Sequence, residues 1–298
     1  FLSITDLSSE EIQEIFSQAR LHKENIPPAS LAGKSVVLLF EKASTRTRVS
    51  FEVGVARMGG HPIVLTPEGS QIARGEPLRD TARILSGYCE CIVMRTFGHD
   101  RVQEMAEWAD VPVINALTDL LHPCQVLADC FTLQNRFGTL EGKKVAWIGD
   151  GNNMANSWIN AASLLSFELM LACPSGYDPD AQIMADARAR GGKITLVRDP
   201  AEAVQGAIAV NTDVWASMGQ ESEAGLRRQA FKGYAVTGEL MDRAAGDAVF
   251  MHCLPAHRGE EVAEEVLEGP RSIVWEQAEN RLYVQEVIMD FLLRHEGR

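Results

Sequence analysis

The sequence has no long apolar run and no leader-like start. No stretch approaches the ~18 apolar residues that a membrane-spanning helix requires, so we expect no membrane partner. The N-terminus lacks the basic and then apolar layout of a secretory signal peptide. Because the chain begins at Phe1 without a methionine, the removal of a leader stays an open alternative.

Basic residues are also scarce. The chain has 28 Lys and Arg against 41 Asp and Glu, which gives a formal net charge of -13. Nucleic acids and anionic membrane surfaces are bound by extended basic patches, and the basic clusters here are short. We therefore expect no nucleic-acid partner, and any anion that the protein binds should be small and locally held.

Paired cysteines are absent. The six cysteines form no CxxC pair and no zinc-ligand pattern, and a chain of 298 residues does not need disulfides to fold. We interpret them as free thiols in a reducing compartment, and so predict a cytoplasmic protein without a bound metal. They are Cys89, Cys91, Cys124, Cys130, Cys173 and Cys253.

What is present is a regular alternation of short apolar runs and amphipathic stretches. With 298 residues, 46% of them hydrophobic, the chain can form about two domain cores. Strands that alternate with helices are typical of parallel, doubly wound sheets. The predicted strands are Val36–Phe40, Pro62–Thr66, Cys91–Arg95, Pro112–Asn115, Val145–Gly149, Leu169–Cys173, Ile194–Val197, Ala207–Thr212, Val249–Leu254 and Ser272–Trp275.

The pattern predicts an α/β fold with two doubly wound parallel-sheet domains joined by helices. A helix end at Gly138 followed by a new strand places the domain boundary there. Helical spacing between Glu276 and Arg294 predicts a C-terminal helix that packs back on the first domain. The expected domains are thus 1–137 with 283–298, and 138–282.

The segment "EKASTRTRVSFE", residues 41–52, combines hydroxyls and arginines where a helix should begin. The positive end of a helix dipole disfavours cations, so Arg46 and Arg48 there indicate a missing anion. Free backbone N–H groups at such a turn bind phosphate, and arginine offers a matching fork of donors. A helix cap followed by two solvated arginines is the alternative, but the density of donors favours a phosphate site.

Two further segments place polar side chains at predicted element ends. In "LLHPCQVLAD", residues 120–129, His122 and Gln125 lie three apart at a helix that begins with proline, so both can face one ligand. In "VFMHCLPAHRG", residues 249–259, a strand ends at Cys253, where ligands of open α/β sheets collect. The alternatives are a structural histidine and a buried structural cysteine.

Two loops complete the set. "WIGDGNNMANS", residues 147–157, lacks the third glycine of a dinucleotide motif because Met154 stands there, so we reject NAD binding but keep Asn153 as a polar ligand. "TDVWASMGQE", residues 212–221, carries Asp213, Ser217 and Gly219 in a turn-rich loop long enough to act as a lid. Without the other motifs, this segment would be interpreted as an ordinary surface loop.

These motifs together resemble the ornithine carbamoyltransferase family over nearly the whole chain. Ser-Thr-Arg-Thr-Arg at 44–48 and His-Pro-Cys-Gln at 122–125 are shared with aspartate carbamoyltransferases, so they indicate only carbamoyl phosphate. The Ser-Met-Gly loop at 217–219 and His-Cys-Leu-Pro at 252–255 are similar to the ornithine-specific motifs.

The resemblance implies transfer of the carbamoyl group of carbamoyl phosphate to ornithine, giving citrulline and phosphate, with no metal or organic cofactor. It implies catalytic roles for Cys253, Arg95, His122 and Asp213. It places ornithine near Asn153, Asp213, Ser217 and Met218. It assigns carbamoyl phosphate to Ser44, Thr45, Arg46, Thr47, Gln71, Arg95, His122, Gln125, Cys253, Leu254 and Arg281.

The resemblance also implies a homotrimer or a multiple of trimers. Two alternative functions stay open at this stage. A sister enzyme could carbamoylate aspartate, putrescine or an acylated ornithine, although Asp213 and the Ser-Met-Gly loop argue against it. A non-catalytic protein could merely bind carbamoyl phosphate or phosphate. Biosynthetic and catabolic use cannot be separated by these motifs.

Overall fold

The computed structural model describes residues 1–216 and 223–295. This part of the chain forms two compact units. Unit 1 comprises Phe1–Phe131 and Glu279–Arg298, and unit 2 comprises Thr132–Ala278. Each is described by itself below. Among the described residues, no helix combines the length and the apolar character that crossing a membrane requires.

Unit 1 contains a four-stranded parallel sheet in the order β2-β1-β3-β4. The switch in strand order lies at β1, which pairs with β2 on one side and β3 on the other. Its elements are α1 (Ser9–Glu24), β1 (Ser35–Phe40), α2 (Arg46–Arg57), β2 (His61–Leu65), α3 (Leu78–Ser86), β3 (Cys91–Arg95), α4 (His99–Trp108), β4 (Val113–Leu117) and the start of α5 (Pro123–Phe137).

Unit 2 contains a five-stranded parallel sheet in the order β7-β6-β5-β8-β9. Here the order reverses at β5, which pairs with β6 and β8. Its elements are β5 (Lys144–Ile148), α6 (Asn153–Leu165), β6 (Glu168–Ala172), α7 (Ala181–Ala189), β7 (Lys193–Val197), α8 (Pro200–Val204), β8 (Ala209–Thr212), α9 (Ala224–Ala230), α10 (Gly238–Met241), β9 (Val249–His252), α11 (Glu264–Leu267) and the start of α12 (Val274–Arg294).

The central strands are buried on both faces. In unit 1, Val37 and Leu39 of β1 pack in one apolar cluster with Ala82 of α3 and Met105 of α4. Leu38, which points to the opposite face, is also fully buried. Burial on both faces explains why these strands are continuous apolar runs in the sequence rather than alternating ones. The prediction of doubly wound parallel sheets is confirmed.

The C-terminal helix α12 packs on unit 1, as predicted. Val284, Val287 and Ile288 are buried. The carboxylate of Glu286 is also buried, and it accepts hydrogen bonds from Arg57 Nε at 2.7 Å and lies 3.1 Å from His22 Nδ1. Since a buried carboxylate is costly unless it is paired, these contacts stabilise α12 against α1 and α2.

Nine of the ten predicted strands are present with ends shifted by a few residues. The tenth, Ser272–Trp275, is wrong. Ser272 forms only an isolated bridge with Phe250, and α12 begins at Val274. The apolar run of this segment belongs mainly to the first turn of a helix, which short runs do not distinguish from a strand.

Candidate active site

The hydroxyl-rich loop lies at the carboxyl end of β1, the strand at which the order of the unit 1 sheet reverses. The Ser44 hydroxyl accepts a hydrogen bond from the Thr47 N–H at 3.3 Å, and Thr45 is the N-cap of α2. Backbone N–H groups in the first turn of a helix have no intrahelical acceptor. This edge of the sheet therefore has the geometry of an anion site.

The two arginines of the loop differ. Arg46 is the first residue of α2 and is exposed. Arg48 is also exposed, but its Nε lies 3.2 Å from a carboxylate oxygen of Glu52 one turn later. The structure therefore favours Arg46 over Arg48 as a phosphate ligand, because Arg48 already has an anionic partner.

Two buried arginines of unit 1, Arg95 and Arg281, belong to elements close to the loop at residues 44–47. Arg95 is the last residue of β3 and pairs with Phe40 of β1, so the strand register brings it to the same edge. Arg281, on α12, donates a hydrogen bond from Nη2 to the Thr47 hydroxyl at 2.6 Å. Their side chains concentrate positive charge inside unit 1, where it is screened less than at the surface.

His122 lies at the start of α5, next to these charges. Burial, together with the nearby cations Arg281 and Arg95, holds the pKa of His122 well below its usual range. The imidazole is therefore neutral near pH 7, and a neutral imidazole donates from one nitrogen only. Gln125, which follows His122 by three residues, is also buried. Its amide donates to a carboxylate oxygen of Asp129 at 2.8 Å.

Gln71 is exposed, unlike the buried residues Arg95, His122 and Gln125. It begins a short 3-10 turn, Gln71–Arg74, after β2, and its side chain is exposed. The neighbouring residues Ser70 and Ile72 line a cavity of about 350 Å³ with Glu41, Phe97 and Arg101. The role of Gln71 at the carbamoyl phosphate site stays a prediction.

Unit 2 brings Asp213 and Cys253 together at the carboxyl ends of β8 and β9. The Cys253 thiol donates to Asp213 Oδ1 at 3.2 Å, and the Val214 N–H donates to the same oxygen at 2.8 Å. The other oxygen, Oδ2, accepts from the Asn152 amide at 2.9 Å. The carboxylate is thus fixed from three sides.

Asn152 is a residue that the sequence analysis missed in favour of its neighbour Asn153. Its Oδ1 caps α6 by accepting from the N–H groups of Met154 and Ala155, and this leaves its amide hydrogens for Asp213. Asparagine directly before a helix is a recognisable cap, so its position was predictable. Its contact with Asp213, 61 residues away, could not be predicted from the sequence.

Asp150, in the same β5 loop, was also missed. Its carboxylate is buried and forms an ion pair of 2.8 Å with Arg227, whose guanidinium also donates to the Trp215 carbonyl. Burial raises the pKa of Asp150 to about 6, with Arg227 opposing and Asp213 reinforcing the shift. This edge of unit 2 therefore holds two carboxylates, Asp150 and Asp213, and Arg227 pairs with the first of them.

Potential metal ligands do occur in unit 2. Donor atoms of Asp213, His252 and Cys253 lie within 4.8 Å of one another. However, Asp213 and His252 already use their donor atoms in hydrogen bonds within the protein. The arrangement is explained without an ion, and the absence of a metal stays a prediction.

Leu254 and Asn153 directly follow Cys253 and Asn152 in the chain. Leu254 has a φ of 61°, a conformation that few residues other than glycine adopt. Asn153 is the first residue of α6. Ser217 and Met218, expected to contact ornithine, lie outside the described residues.

The family of the chain is shown by comparison with known proteins. Residues 1–135 match the family described as "Aspartate/ornithine carbamoyltransferase, carbamoyl-P binding domain", and residues 141–292 match "Aspartate/ornithine carbamoyltransferase, Asp/Orn binding domain". The chain belongs to the aspartate/ornithine carbamoyltransferase family.

Particular relatives cover nearly the whole chain. An ornithine carbamoyltransferase of Geobacter sulfurreducens is 52% identical over 299 residues, 99% of either chain. The solved structure of the ornithine carbamoyltransferase from Pyrococcus furiosus is 44% identical with a TM-score of 0.94, covering 99% of this chain and 97% of that one. A solved N-acetyl-L-ornithine transcarbamylase is 32% identical with a TM-score of 0.88, covering 98% and 99%.

Proposed function

We propose that the protein transfers the carbamoyl group of carbamoyl phosphate to the side-chain amine of L-ornithine, giving L-citrulline and phosphate. The observation that carries this proposal is the full-length similarity to relatives named ornithine carbamoyltransferase. The arginines at the edge of the unit 1 sheet and the Asp213 carboxylate at the edge of the unit 2 sheet support it, since one substrate is an anion and the other carries an ammonium group.

Carbamoyl phosphate binds to the loop of unit 1 in this proposal. Ser44, Thr45, Arg46 and Thr47 hold the phosphate through hydroxyls, backbone N–H groups and a guanidinium fork. Arg281 orients the Thr47 hydroxyl by its hydrogen bond of 2.6 Å. The remaining proposed contacts, carried over from the family resemblance, are Gln71, Arg95, His122, Gln125, Cys253 and Leu254.

The carbamoyl group is polarised by neutral His122 and by Arg95. Because the pKa of His122 is held low by burial and by the two arginines, its ring can donate an N–H to the carbonyl oxygen without carrying charge itself. Negative charge grows on that oxygen as the tetrahedral species forms, and preorganised donors stabilise it. Gln125 holds the carbamoyl amide in this proposal.

Ornithine binds to unit 2, near Asn153 and Asp213, and to Ser217 and Met218 by the family pattern. Its side-chain amine has a pKa near that of lysine, about 10.4, and cannot attack while it is protonated. Asp213, which already accepts the hydrogen of the Cys253 thiol, is the proposed proton acceptor, with Cys253 as its partner.

The neutral amine forms a C–N bond to the carbamoyl carbon, and the C–O bond to phosphate breaks with its electron pair leaving on phosphate. Of the two protons lost from the ammonium group, one passes to phosphate and one to water. Orientation and charge stabilisation supply the rate enhancement, and no cofactor takes part.

Three further parts of the proposal rest on the resemblance. Segments 1–137 with 283–298 form the carbamoyl phosphate domain and 138–282 the ornithine domain. The protein assembles as a homotrimer or a multiple of trimers, which sedimentation of the purified chain would test. It works in the cytoplasm.

The test is phosphate release by the purified protein with carbamoyl phosphate and one acceptor at a time. Ornithine should support release, whereas putrescine, aspartate and an acylated ornithine should not. Release with a different acceptor would retain the unit 1 site and overturn the acceptor assignment. Binding of carbamoyl phosphate without release to any acceptor would instead indicate a non-catalytic binding protein.

A further inference from the structure

His252, which precedes Cys253, has both ring nitrogens in use. Its side chain is buried, and its Nδ1 accepts a hydrogen bond from the Leu254 N–H at 2.8 Å. Its Nε2 lies 3.1 Å from a carboxylate oxygen of Glu261. Because a backbone N–H can only donate, Nδ1 is the acceptor and the ring hydrogen lies on Nε2, facing Glu261.

Glu261 is itself fixed. Its side chain is fully buried, and the oxygen that faces His252 also accepts the His257 N–H at 2.6 Å. Its carbonyl accepts from the Val236 N–H at 2.9 Å, which anchors its backbone to a neighbouring segment of unit 2. A carboxylate held in this way sets the tautomer and the orientation of the histidine ring.

The ring in turn holds an unusual piece of backbone. Leu254 has a φ of 61°, a conformation that a branched residue adopts only where its surroundings enforce it. The hydrogen bond from its N–H to His252 Nδ1 closes the turn that contains Cys253 between them. The backbone of His252 is also held, because its N–H donates to the buried Gln277 side chain at 3.0 Å.

We propose that His252 and Glu261 are positioning residues, which set the Cys253–Leu254 turn so that the thiol reaches Asp213. This inference rests on the proposed function for its catalytic consequence, but the positioning itself is a property of unit 2. His252 does not act as the base for Cys253, since its only lone pair is taken by Leu254. Asp213 accepts the thiol hydrogen instead.

Two substitutions at one position separate the two bonds of His252. An asparagine oxygen can occupy the place of Nδ1, so His252→Asn keeps the acceptor for Leu254 and loses the contact with Glu261. A glutamine amide can occupy the place of Nε2, so His252→Gln keeps the contact with Glu261 and leaves the Leu254 N–H without its acceptor. The proposal predicts a loss in kcat/KM for ornithine of about tenfold or more for His252→Gln, and a smaller loss for His252→Asn.

A second pair tests Glu261. Glu261→Gln retains an oxygen that accepts from His252 and His257, whereas Glu261→Ala removes it. The expected result is a near-parent kcat/KM for the glutamine variant and a loss of about tenfold for the alanine variant. His257→Ala is the matched control, because its ring is exposed and only its backbone contacts Glu261, so activity should be unchanged. Affinity for inorganic phosphate, which the unit 1 loop holds in the proposed function, should stay the same in all five variants.

A readout without catalysis keeps the positioning test independent of the proposed function. Cys253 is partly exposed, whereas the other five cysteines are buried, so its alkylation by iodoacetamide can be followed by mass spectrometry. His252→Gln and Glu261→Ala should change the alkylation rate several-fold, and His252→Asn, Glu261→Gln and His257→Ala should change it little. Equal rates in all variants that retain the parent melting temperature would overturn the proposal, even if the parent carbamoylates ornithine. The predicted pattern in a parent that releases no phosphate would support the positioning and refute the proposed function alone.

Discussion

The Arg281 guanidinium donates to the Thr47 hydroxyl over 2.6 Å, although the two residues are 234 positions apart in the sequence. Thr47 lies in the first turn of α2, and Arg281 lies on α12. Both side chains are buried. The C-terminal helix thus contacts the hydroxyl-rich loop at residues 44–47 directly, besides covering the core of unit 1.

Replacing Arg281 by lysine should weaken carbamoyl phosphate binding at least about tenfold, because an ammonium group cannot reproduce the guanidinium geometry. Calorimetric titration of the purified variant measures this. Arg83→Lys, on the exposed face of α3, is the control and should bind as the parent does. If Arg281→Lys and the parent bound carbamoyl phosphate with equal affinity, Arg281 would not be a ligand of the proposed phosphate site.

The two loop arginines should behave differently. Arg46→Ala should lose most carbamoyl phosphate affinity, since a charge-assisted phosphate contact contributes about 1.5–3 kcal/mol. Arg48→Ala should lose much less, because that side chain pairs with Glu52. Inhibition by inorganic phosphate gives an independent measure of the same site. A larger effect at Arg48 than at Arg46 would contradict the assignment.

Asn152 should influence catalysis through Asp213. Asn152→Ser keeps an oxygen that can cap α6 but removes the amide donor to Asp213, so stability should change little while kcat/KM for ornithine falls about tenfold. Asn152→Asp should be worse, because it places a second carboxylate against the first. Steady-state kinetics together with melting temperatures test this. If the serine variant lost stability but not activity, Asn152 would be a cap only.

Cys253 should matter for turnover more than for binding of carbamoyl phosphate. Cys253→Ser retains a donor to Asp213 and should keep more activity than Cys253→Ala, which removes it. The measurement is kcat for both variants beside the affinity for carbamoyl phosphate, which should fall less than kcat does. Equal kcat for parent and alanine variant across the pH range would rule out a role in proton handling.

His122 should make the folded chain less stable in acid. Because burial lowers its pKa, the unfolded chain binds more protons below about pH 6.5, so its contribution to the free energy of unfolding falls as pH falls and is constant above that value. His122→Gln should therefore lose less stability than the parent between about pH 7.5 and about pH 5, by up to about 1.4 kcal/mol per pH unit.

Urea denaturation at both pH values measures the effect. His257→Gln serves as the matched control, because it makes the same change of residue at an exposed ring. The same loss of stability in the parent and in His122→Gln would show that His122 is not the group that titrates.

The order of strands and helices could be predicted because both faces of each sheet are buried, which leaves apolar runs that the sequence displays directly. Helix limits marked by local chemistry were also accessible, as at Pro123, where α5 begins, and Gly138, which follows its end with a φ of 76°. The run at Ser272 was misassigned because one bridge and a helix start share the same apolar pattern.

The site was only partly predictable. Residues carried by the family motifs, such as Thr47 and Asp213, were named from the sequence, although their substrate contacts stay predictions. Asn152 and Glu261, which hold Asp213 and the Cys253 turn, were missed because their contacts are distant in the sequence or act through another side chain. Asn152 contacts Asp213, 61 residues away, and Glu261 acts on the Cys253 turn through the ring of His252.

The central claim is tested most directly by following carbamoyl phosphate labelled with ¹³C at its carbonyl carbon in the presence of ornithine and the purified protein. The account predicts that the label appears in citrulline and that citrulline and phosphate form in equal amounts. Phosphate release without labelled citrulline would contradict it, because the bond to ornithine nitrogen would then not have formed.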